Sequence, residues 1–290
     1  MITIDKLELK LKGNGILRPI DLSISKGEIV CLAGRNGAGK TSLLKCICGL
    51  ENRFIGDVLY KGIQVRNKVP LDVGILIGGP SLYSYLSATQ NIDIFRKYYG
   101  LPKSVVETTL KLIGLEAEGG KLVKNFSAGM KQRLAIGIAF INTPSLIILD
   151  EPLNALDPEA IVGVRELILN INSNFQTTFI ISSHSLEEIN KLFSRLLIMK
   201  NGKIVLNETK ETLKNFRSIS ASIESSESEV LTSEILTSKL FYSYENLKLK
   251  VYGNKEVLDD FKTTFREFNW TECDKVSIEE IYLASYLGNL

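Results

Sequence analysis

Apolar positions along the chain switch between two periods, and the switches predict its elements. Residues 2–11 alternate apolar and polar side chains at Ile2, Ile4, Leu7, Leu9 and Leu11, and residues 20–24 alternate again. Both read as half-buried strands, split by a turn at Gly13-Asn14-Gly15. A second kind of strand shows no alternation. Residues 29–33, 73–77, 146–149 and 178–182 are short continuous apolar runs, the pattern of strands buried on both faces. Residues 57–60 add another strand, and 196–199 should pair with 203–206 across an Asn201-Gly202 hairpin turn. Helical spacing runs between them. It is carried by Leu43, Leu44 and Ile47 up to Gly49, by Ile92, Phe95, Tyr98 and Tyr99, and by Val106, Leu110 and Ile113. Further helices are expected over 127–141, with Leu134, Ile138 and Ile141 as the apolar face, and over 158–171 and 186–193. Strands alternating with helices argue a mainly parallel sheet with helices on its faces.

The texture changes near Arg217. Residues 218–233 are rich in serine, which reads as exposed strand or linker, and alternation then returns at Leu247, Leu249 and Val251. A helix over 257–268, a short strand within 271–276 and a last helix over 278–286 complete a small α+β appendage, 218–290. The main domain is therefore 1–217, with a helical subdomain at about 83–125.

Bulk composition narrows the class. A formal charge of +2 gives no electrostatic case for nucleic acid. No apolar stretch approaches the ~20 residues that span a bilayer, and the opening MITIDKLELK is too charged for a signal peptide. A cytoplasmic protein is expected. The four cysteines agree: Cys31 lies in a core strand, Cys46 and Cys48 lie in the helix after it, and no C-x-x-C suggests a metal site.

Chemistry concentrates where the apolar strands end. After the strand 29–33 comes Gly34-Arg35-Asn36-Gly37-Ala38-Gly39-Lys40-Thr41-Ser42, which fits G-x-x-x-x-G-K-[ST] between a strand and a helix. Its glycines let backbone N–H groups converge on phosphate oxygens, and the helix N-terminus adds its positive end. Lys40 would reach the terminal phosphates of a nucleotide, and the Thr41 hydroxyl would hold Mg²⁺. The strand 146–149 ends in Asp150-Glu151, on the edge of a parallel sheet where ligands bind. Asp150 would hold Mg²⁺ through water, and Glu151 would polarise an attacking water. The single histidine, His184, follows the strand 178–182 on that edge and would bond the terminal phosphate. Ser127 opens the helix that contains Gly129 and Met130, where a hydroxyl and free N–H groups face an anion. An ordinary serine N-cap would leave the same pattern.

In chain order, the phosphate loop, the Ser127 helix, Asp150-Glu151, Asn154-Ala155-Leu156-Asp157 and His184 resemble the motif set of the ATP-binding subunits of ABC transporters, over about residues 1–210. The resemblance implies an α/β P-loop NTPase core with an antiparallel β subdomain and a helical insertion. It implies that 34–41 is the Walker A loop, Asp150 the Walker B carboxylate, Glu151 the catalytic base, 154–157 the D-loop and His184 the switch histidine. Ser127, Gly129 and Asp157 would contact ATP held by the other subunit of a head-to-tail pair, a homodimer or a pairing with a second ATPase. The helical insertion would dock on an integral membrane permease, placing the protein on the inner face of the cell membrane.

Four residues, at three places, depart from the family pattern. Ala128 and Met130 stand where Gly and Gln are usual, Gly78 stands where a glutamine is expected, and Leu11 falls about where an aromatic ring would stack on adenine. The phosphate chemistry is intact, so a working ATPase is expected. The Ser127–Leu134 wording, Pro80-x-Leu82-Tyr83 and Ser277-Ile278-Glu279-Glu280-Ile281-Tyr282 resemble bacterial exporters of the bacitracin-resistance and lantibiotic-immunity kind. The alternatives are a ribosome- or DNA-associated ATPase, disfavoured by the single motif set and the lack of heptads, and an antibiotic-sensing ATPase that transports nothing.

Overall fold

A computed structural model of the chain describes all residues except 67–69, 224–230, 232–234, 236–237, 239, 246–247, 274–275 and 288–290. The chain divides into two compact units, Met1–Phe193 with Asn201–Lys203, and Ser194–Lys200 with Ile204–Leu290.

The first unit opens with an antiparallel hairpin of β1 (Ile2–Leu11) and β2 (Asn14–Ile24). Its turn is Lys12-Gly13 rather than Gly13-Asn14-Gly15, because Leu11 already pairs with Asn14. Lys12 and Gly13 take φ of 49° and 83°, the left-handed pair a two-residue turn needs to follow strand twist. Next comes β3 (Ile29–Ala33), buried at every position, which leads through residues 34–39 into α1 (Lys40–Ile47). The helix stops at Gly49 as the sequence predicts. Leu50 N donates to Lys45 O, and Gly49 N donates to Cys46 O, which satisfies the last carbonyls. Cys31, Cys46 and Cys48 are all buried. Burial pushes the Cys46 thiol up to about 12 and the Cys48 thiol up to about 11, so both stay protonated and inert.

Then β4 (Phe54–Tyr60) and β5 (Ile63–Gln64) return to the hairpin, giving an antiparallel sheet in the order β2-β1-β4-β5. A second sheet is built from β6 (Val73–Leu76), β7 (Leu146–Asp150) and β8 (Thr178–Ser183) with β3. These four strands run parallel in the order β3-β8-β7-β6, and the continuous apolar runs are buried on both faces as expected. Their carboxyl ends therefore lie along one edge.

Between β6 and β7 sits the helical insertion, α2 (Ala88–Tyr98) and α3 (Ser104–Leu112), followed by α4 (Ala128–Phe140). Ser87 caps α2 with a reciprocal box to Gln90. The single apolar face expected for α4 is too narrow an account. Leu134, Ala135, Ile136, Gly137, Ile138 and Phe140 are all buried, because β6, α3 and α5 (Pro158–Phe175) pack on different sides of it. α5 also runs a turn past residue 171, whereas α6 (Leu186–Asn190) stops short of 193.

The second unit holds β9 (Arg195–Lys200), most of β10 (Lys203–Thr209), and α7 (Lys210–Lys214). A separate antiparallel sheet follows: β11 (Phe216–Ser222), β12 (Phe241–Glu245), β13 (Lys248–Asn254) and, after α8 (Lys255–Thr264), β14 (Thr271–Cys273). Its order is β12-β13-β11-β14, and Ile219, Ala221, Leu249, Val251, Leu258 and Phe261 share its core. The serine-rich run begins inside β11, a central strand with Ser218 buried, and not in an exposed strand or linker. Residues 224–230, 232–234 and 246–247, Leu247 among them, lie outside the described residues. The unit also starts upstream of residue 218. The last helix, α9 (Ile278–Leu287), binds back to β9: the Tyr286 hydroxyl donates to Met199 O, and Lys200 Nζ donates to Tyr286 O.

Candidate functional site

The phosphate loop is a short path between two rigid elements, so its backbone is what a ligand meets. Gly37 and Gly39 have φ of 82° and 104°, which side-chain-bearing residues rarely adopt, and they turn the loop on itself. Gly39 is the N-cap of α1 and brings no capping side chain, nor is there an acidic residue in the first turn. The first N–H groups and the positive end of the helix dipole are thus left for an anion. Arg35, Asn36, Gly37, Ala38, Gly39, Lys40, Thr41 and Ser42 line a cleft of about 380 Å³ together with Glu151 and Ile16.

Side chains from three strand ends converge there. Lys40 is buried, donates from Nζ to Gly34 O at 2.6 Å, and lies 3.3 Å from Glu151 Oε1. Thr41 Oγ1 donates to Asp150 Oδ2 at 2.8 Å, tying the loop to the end of β7. Glu151 Oε2 is 2.7 Å from His184 Nδ1, just beyond β8. An ionised carboxylate only accepts, so that ring nitrogen carries the hydrogen. Five residues from three separate segments thus form two adjoining sets of contacts, Thr41 with Asp150 and Lys40 with Glu151 and His184. Glu151 itself has φ of 51°, a left-handed conformation that costs a non-glycine residue about 1 kcal/mol or more. That turn carries its carboxylate out of the strand line toward Lys40.

Ser127, Gly129 and Asp157 are not brought to that cleft. With Met130, Arg133 and Ala160 they line a second one, of about 420 Å³. A Cβ on Gly129 would meet the Ala160 Cβ at 2.4 Å, so only glycine lets the starts of α4 and α5 approach this closely. Ser127 Oγ accepts from Met130 N at 3.2 Å and Asp157 Oδ1 accepts from Ala160 N at 2.8 Å. Both are helix N-caps, each bonding a first-turn N–H of its own helix.

Two contributors escaped the sequence reading. Leu11 is the residue the sequence reading sets near the adenine, whereas Ile16, on β2, borders the phosphate loop. Its place depends on hairpin register, which the misplaced turn concealed. Gly202 N donates to Ala38 O of the loop, and Gly202 O accepts from Arg18 N. A Cβ there would sit 2.4 Å from Ile16 O, so the predicted Asn201-Gly202 turn also buttresses the site.

A glycine loop between a buried parallel strand and a helix, with an acidic pair on the adjoining strand end, defines a phosphate-loop nucleotide-binding protein. Comparison with known proteins narrows this further. The ABC transporter family profile matches residues 17–154. The lantibiotic transport ATP-binding protein SrtF of Streptococcus pyogenes is 35% identical over 219 residues, covering 76% of this chain and 95% of SrtF. The bacitracin transport ATP-binding protein BcrA of Enterococcus faecalis is 38% identical over 194 residues, covering 66% of this chain and 63% of BcrA. Among solved structures, cbiO1 of Clostridium perfringens, part of the ABC transporter complex cbiONQ, shares the fold with a TM-score of 0.67 at 24% identity, over 81% of this chain and 94% of that one. The ATP-binding cassette MJ0796, in a dimeric post-hydrolysis state bound to ADP and Pi, gives 0.63 at 24% identity, over 72% of this chain and 98% of that one. The chain belongs to the ATP-binding subunits of ABC transporters, which hydrolyse ATP to power a separate membrane permease.

The cleft wall also sets an expectation about the base. Ile16 is the only non-loop, apolar side chain among the described residues that line it, and an aliphatic side chain does not distinguish purines. ATP and GTP are therefore expected to bind within a few fold of each other, the affinity coming from the phosphates. Competition titration with a fluorescent nucleotide checks this; a tenfold preference, about 1.4 kcal/mol, would reveal a base-reading contact elsewhere.

Proposed function

We propose that this chain binds Mg-ATP at residues 34–42 and hydrolyses it as one half of a head-to-tail pair that drives an exporter of peptide antibiotics or other hydrophobic cargo. The observation that carries the reading is the separation of the two clefts. The phosphate loop, Asp150, Glu151 and His184 form one, and Ser127, Gly129 and Asp157 form the other. A second copy, or a paired ATPase, would present its Ser127 helix to the nucleotide on this chain's phosphate loop. The names of SrtF and BcrA, lantibiotic and bacitracin transport proteins, support the cargo class.

The residues fit a bound Mg²⁺. The Thr41 hydroxyl and the Asp150 carboxylate are hard oxygen donors held 2.8 Å apart beside the phosphate loop. When bound, the ion supplies charge neutralisation to the phosphate oxygens. Lys40 would exchange its contact with Gly34 O for the terminal phosphates. Glu151 would orient and polarise the attacking water, and His184 would hold Glu151 in place and reach the terminal phosphate. These are positioning and electrostatic roles, which is what phosphoryl transfer demands of a protein.

Among the described residues no helix is long and apolar enough to cross a membrane. We place the protein on the cytoplasmic face, docked through its helical insertion. Ile92 is fully buried, but Tyr98 is 72% exposed and stacks edge-on against Tyr99 at 5.0 Å. With Phe95 they line a groove of about 340 Å³ that continues along β6 and α4. An exposed aromatic at such a groove is a docking feature. Tyr98→Glu is expected to cut co-purification with the permease roughly tenfold or more while leaving basal ATPase unchanged. Loss of ATPase and of thermal stability together would instead make Tyr98 part of the fold's own packing.

A further inference from the structure

We propose that Ser182 is a positioning residue for hydrolysis, its hydroxyl clipping the side chain of Asp150 and the backbone of Glu151 into one unit. The inference rests on the roles proposed for those two carboxylates.

Ser182 ends an otherwise apolar run, and it is fully buried in β8 directly beside Asp150 in the parallel register. A hydroxyl in such a place must find partners, and both of its partners belong to the site. Ser182 Oγ lies 2.5 Å from Asp150 Oδ1, and Glu151 N donates to the same Oγ at 2.9 Å. The direction of both bonds is fixed by chemistry. A backbone N–H only donates, and an ionised carboxylate only accepts, so the single hydroxyl hydrogen points to Asp150. The neighbouring Ser183 does something different, accepting from Ser185 N in the turn that follows.

The arrangement constrains each carboxylate in its own way. Asp150 has Oδ1 held by Ser182 and Oδ2 held by Thr41, so its plane is set from both sides. Glu151 leaves β7 in the left-handed conformation, and its N–H is shared between Ser182 Oγ and Ser182 O, the latter at 3.2 Å. Surroundings must over-determine such a conformation for it to persist. The hydroxyl supplies one of the two acceptors that do so, and the result is a Glu151 side chain aimed at Lys40 and His184. Polarisation also runs along the series, since a hydroxyl that accepts from an amide donates more strongly to a carboxylate.

Three variants test the clip. Ser182→Ala removes both bonds, Ser182→Cys keeps the size but offers only weak bonding, and Ser182→Thr restores the hydroxyl. The first readout is the Mg²⁺ concentration that half-saturates binding of a fluorescent, non-hydrolysed ATP analogue, followed by kcat, KM and melting temperature. Ser182→Ala and Ser182→Cys are expected to raise the half-saturating Mg²⁺ roughly tenfold and to lower kcat about 10- to 100-fold, the range for losing a partner that orients a metal ligand. KM at saturating Mg²⁺ should stay within about threefold, since the phosphate loop is untouched. Ser182→Thr should recover both quantities; if its extra methyl prevents folding, the Ala and Cys variants decide the matter alone. Unchanged Mg²⁺ half-saturation overturns the clip, including the case where kcat falls only in step with melting temperature. Glu151→Gln, run in parallel, separates the two levels. If it abolishes hydrolysis while Ser182→Ala is normal, only the clip fails; if it hydrolyses normally, the role of Glu151 fails.

Discussion

Glu151→Gln protein should bind ATP, fail to cleave it, and accumulate as an ATP-dependent dimer. The substitution keeps shape and hydrogen-bonding reach but removes the carboxylate that would polarise water. Losing a positioned general base costs roughly 10²- to 10⁴-fold in rate. The amide oxygen can still accept from Lys40 Nζ, and the NH2 can donate to His184 Nδ1 once that ring takes its other tautomer, in place of the oxygens now 3.3 Å and 2.7 Å away, so the cleft should not collapse. With the terminal phosphate uncleaved, it would stay bridged between the phosphate loop of one copy and the Ser127 helix N-terminus of the other. Nucleotide-free protein should remain mainly monomeric. Adding Ser127→Arg should undo the dimer, because the change puts bulk and charge where the partner's phosphate would sit. Light scattering with and without Mg-ATP decides the point. A Glu151→Gln protein that stays monomeric and hydrolyses ATP at the normal rate would sink both the base assignment and the shared site.

Lys40→Ala should reduce hydrolysis at least about 100-fold, the scale for removing one fixed donor from a site where charge must be stabilised. Lys40 is buried beside the loop, so no surface lysine can replace it. The fold should survive, because Lys40 itself lines the cleft, so the space its side chain vacates opens to water that can bond Gly34 O and Glu151. Circular dichroism alongside a phosphate-release assay checks both halves of this expectation. Normal turnover with a normal spectrum would remove the role assigned to Lys40.

Most of the first unit was legible because its signals are local. A strand buried on both faces must be continuously apolar, so β3, β7 and β8 stood out, and each ends beside the proposed site residues 34–41, 150–151 and 184. The Gly34–Thr41 spacing needs no tertiary partner to be recognised, since backbone N–H groups and a helix end would do the proposed binding. The stop of α1 at Gly49 followed from the same logic, whereas the ends of α5 and α6 did not.

What failed were quantities set by pairing. The Lys12-Gly13 turn follows from the register of Leu11 against Asn14, and that register places Ile16 beside the phosphate loop. The breadth of α4's buried surface depends on how many elements pack around it, which no periodicity in its own residues encodes. Ser218 looked exposed because serine usually is, yet as part of a central strand it is buried by its neighbours on either side.

The sequence by itself determined the glycine loop, the acidic pair and the order of strands and helices, because each is written in residues adjacent along the chain. Tertiary structure alone decided which of those residues meet. Only folding could show that Lys40, Thr41, Asp150, Glu151 and His184 form one cluster while Ser127 and Asp157 form another. Only folding could turn Ser182, an unremarked serine at the end of an apolar run, into the hydroxyl between two carboxylate-bearing residues. The physical reason is range: backbone propensity and burial pattern act over a few residues, whereas a hydrogen bond between β7 and β8 spans 32 positions and exists only once the strands are in register.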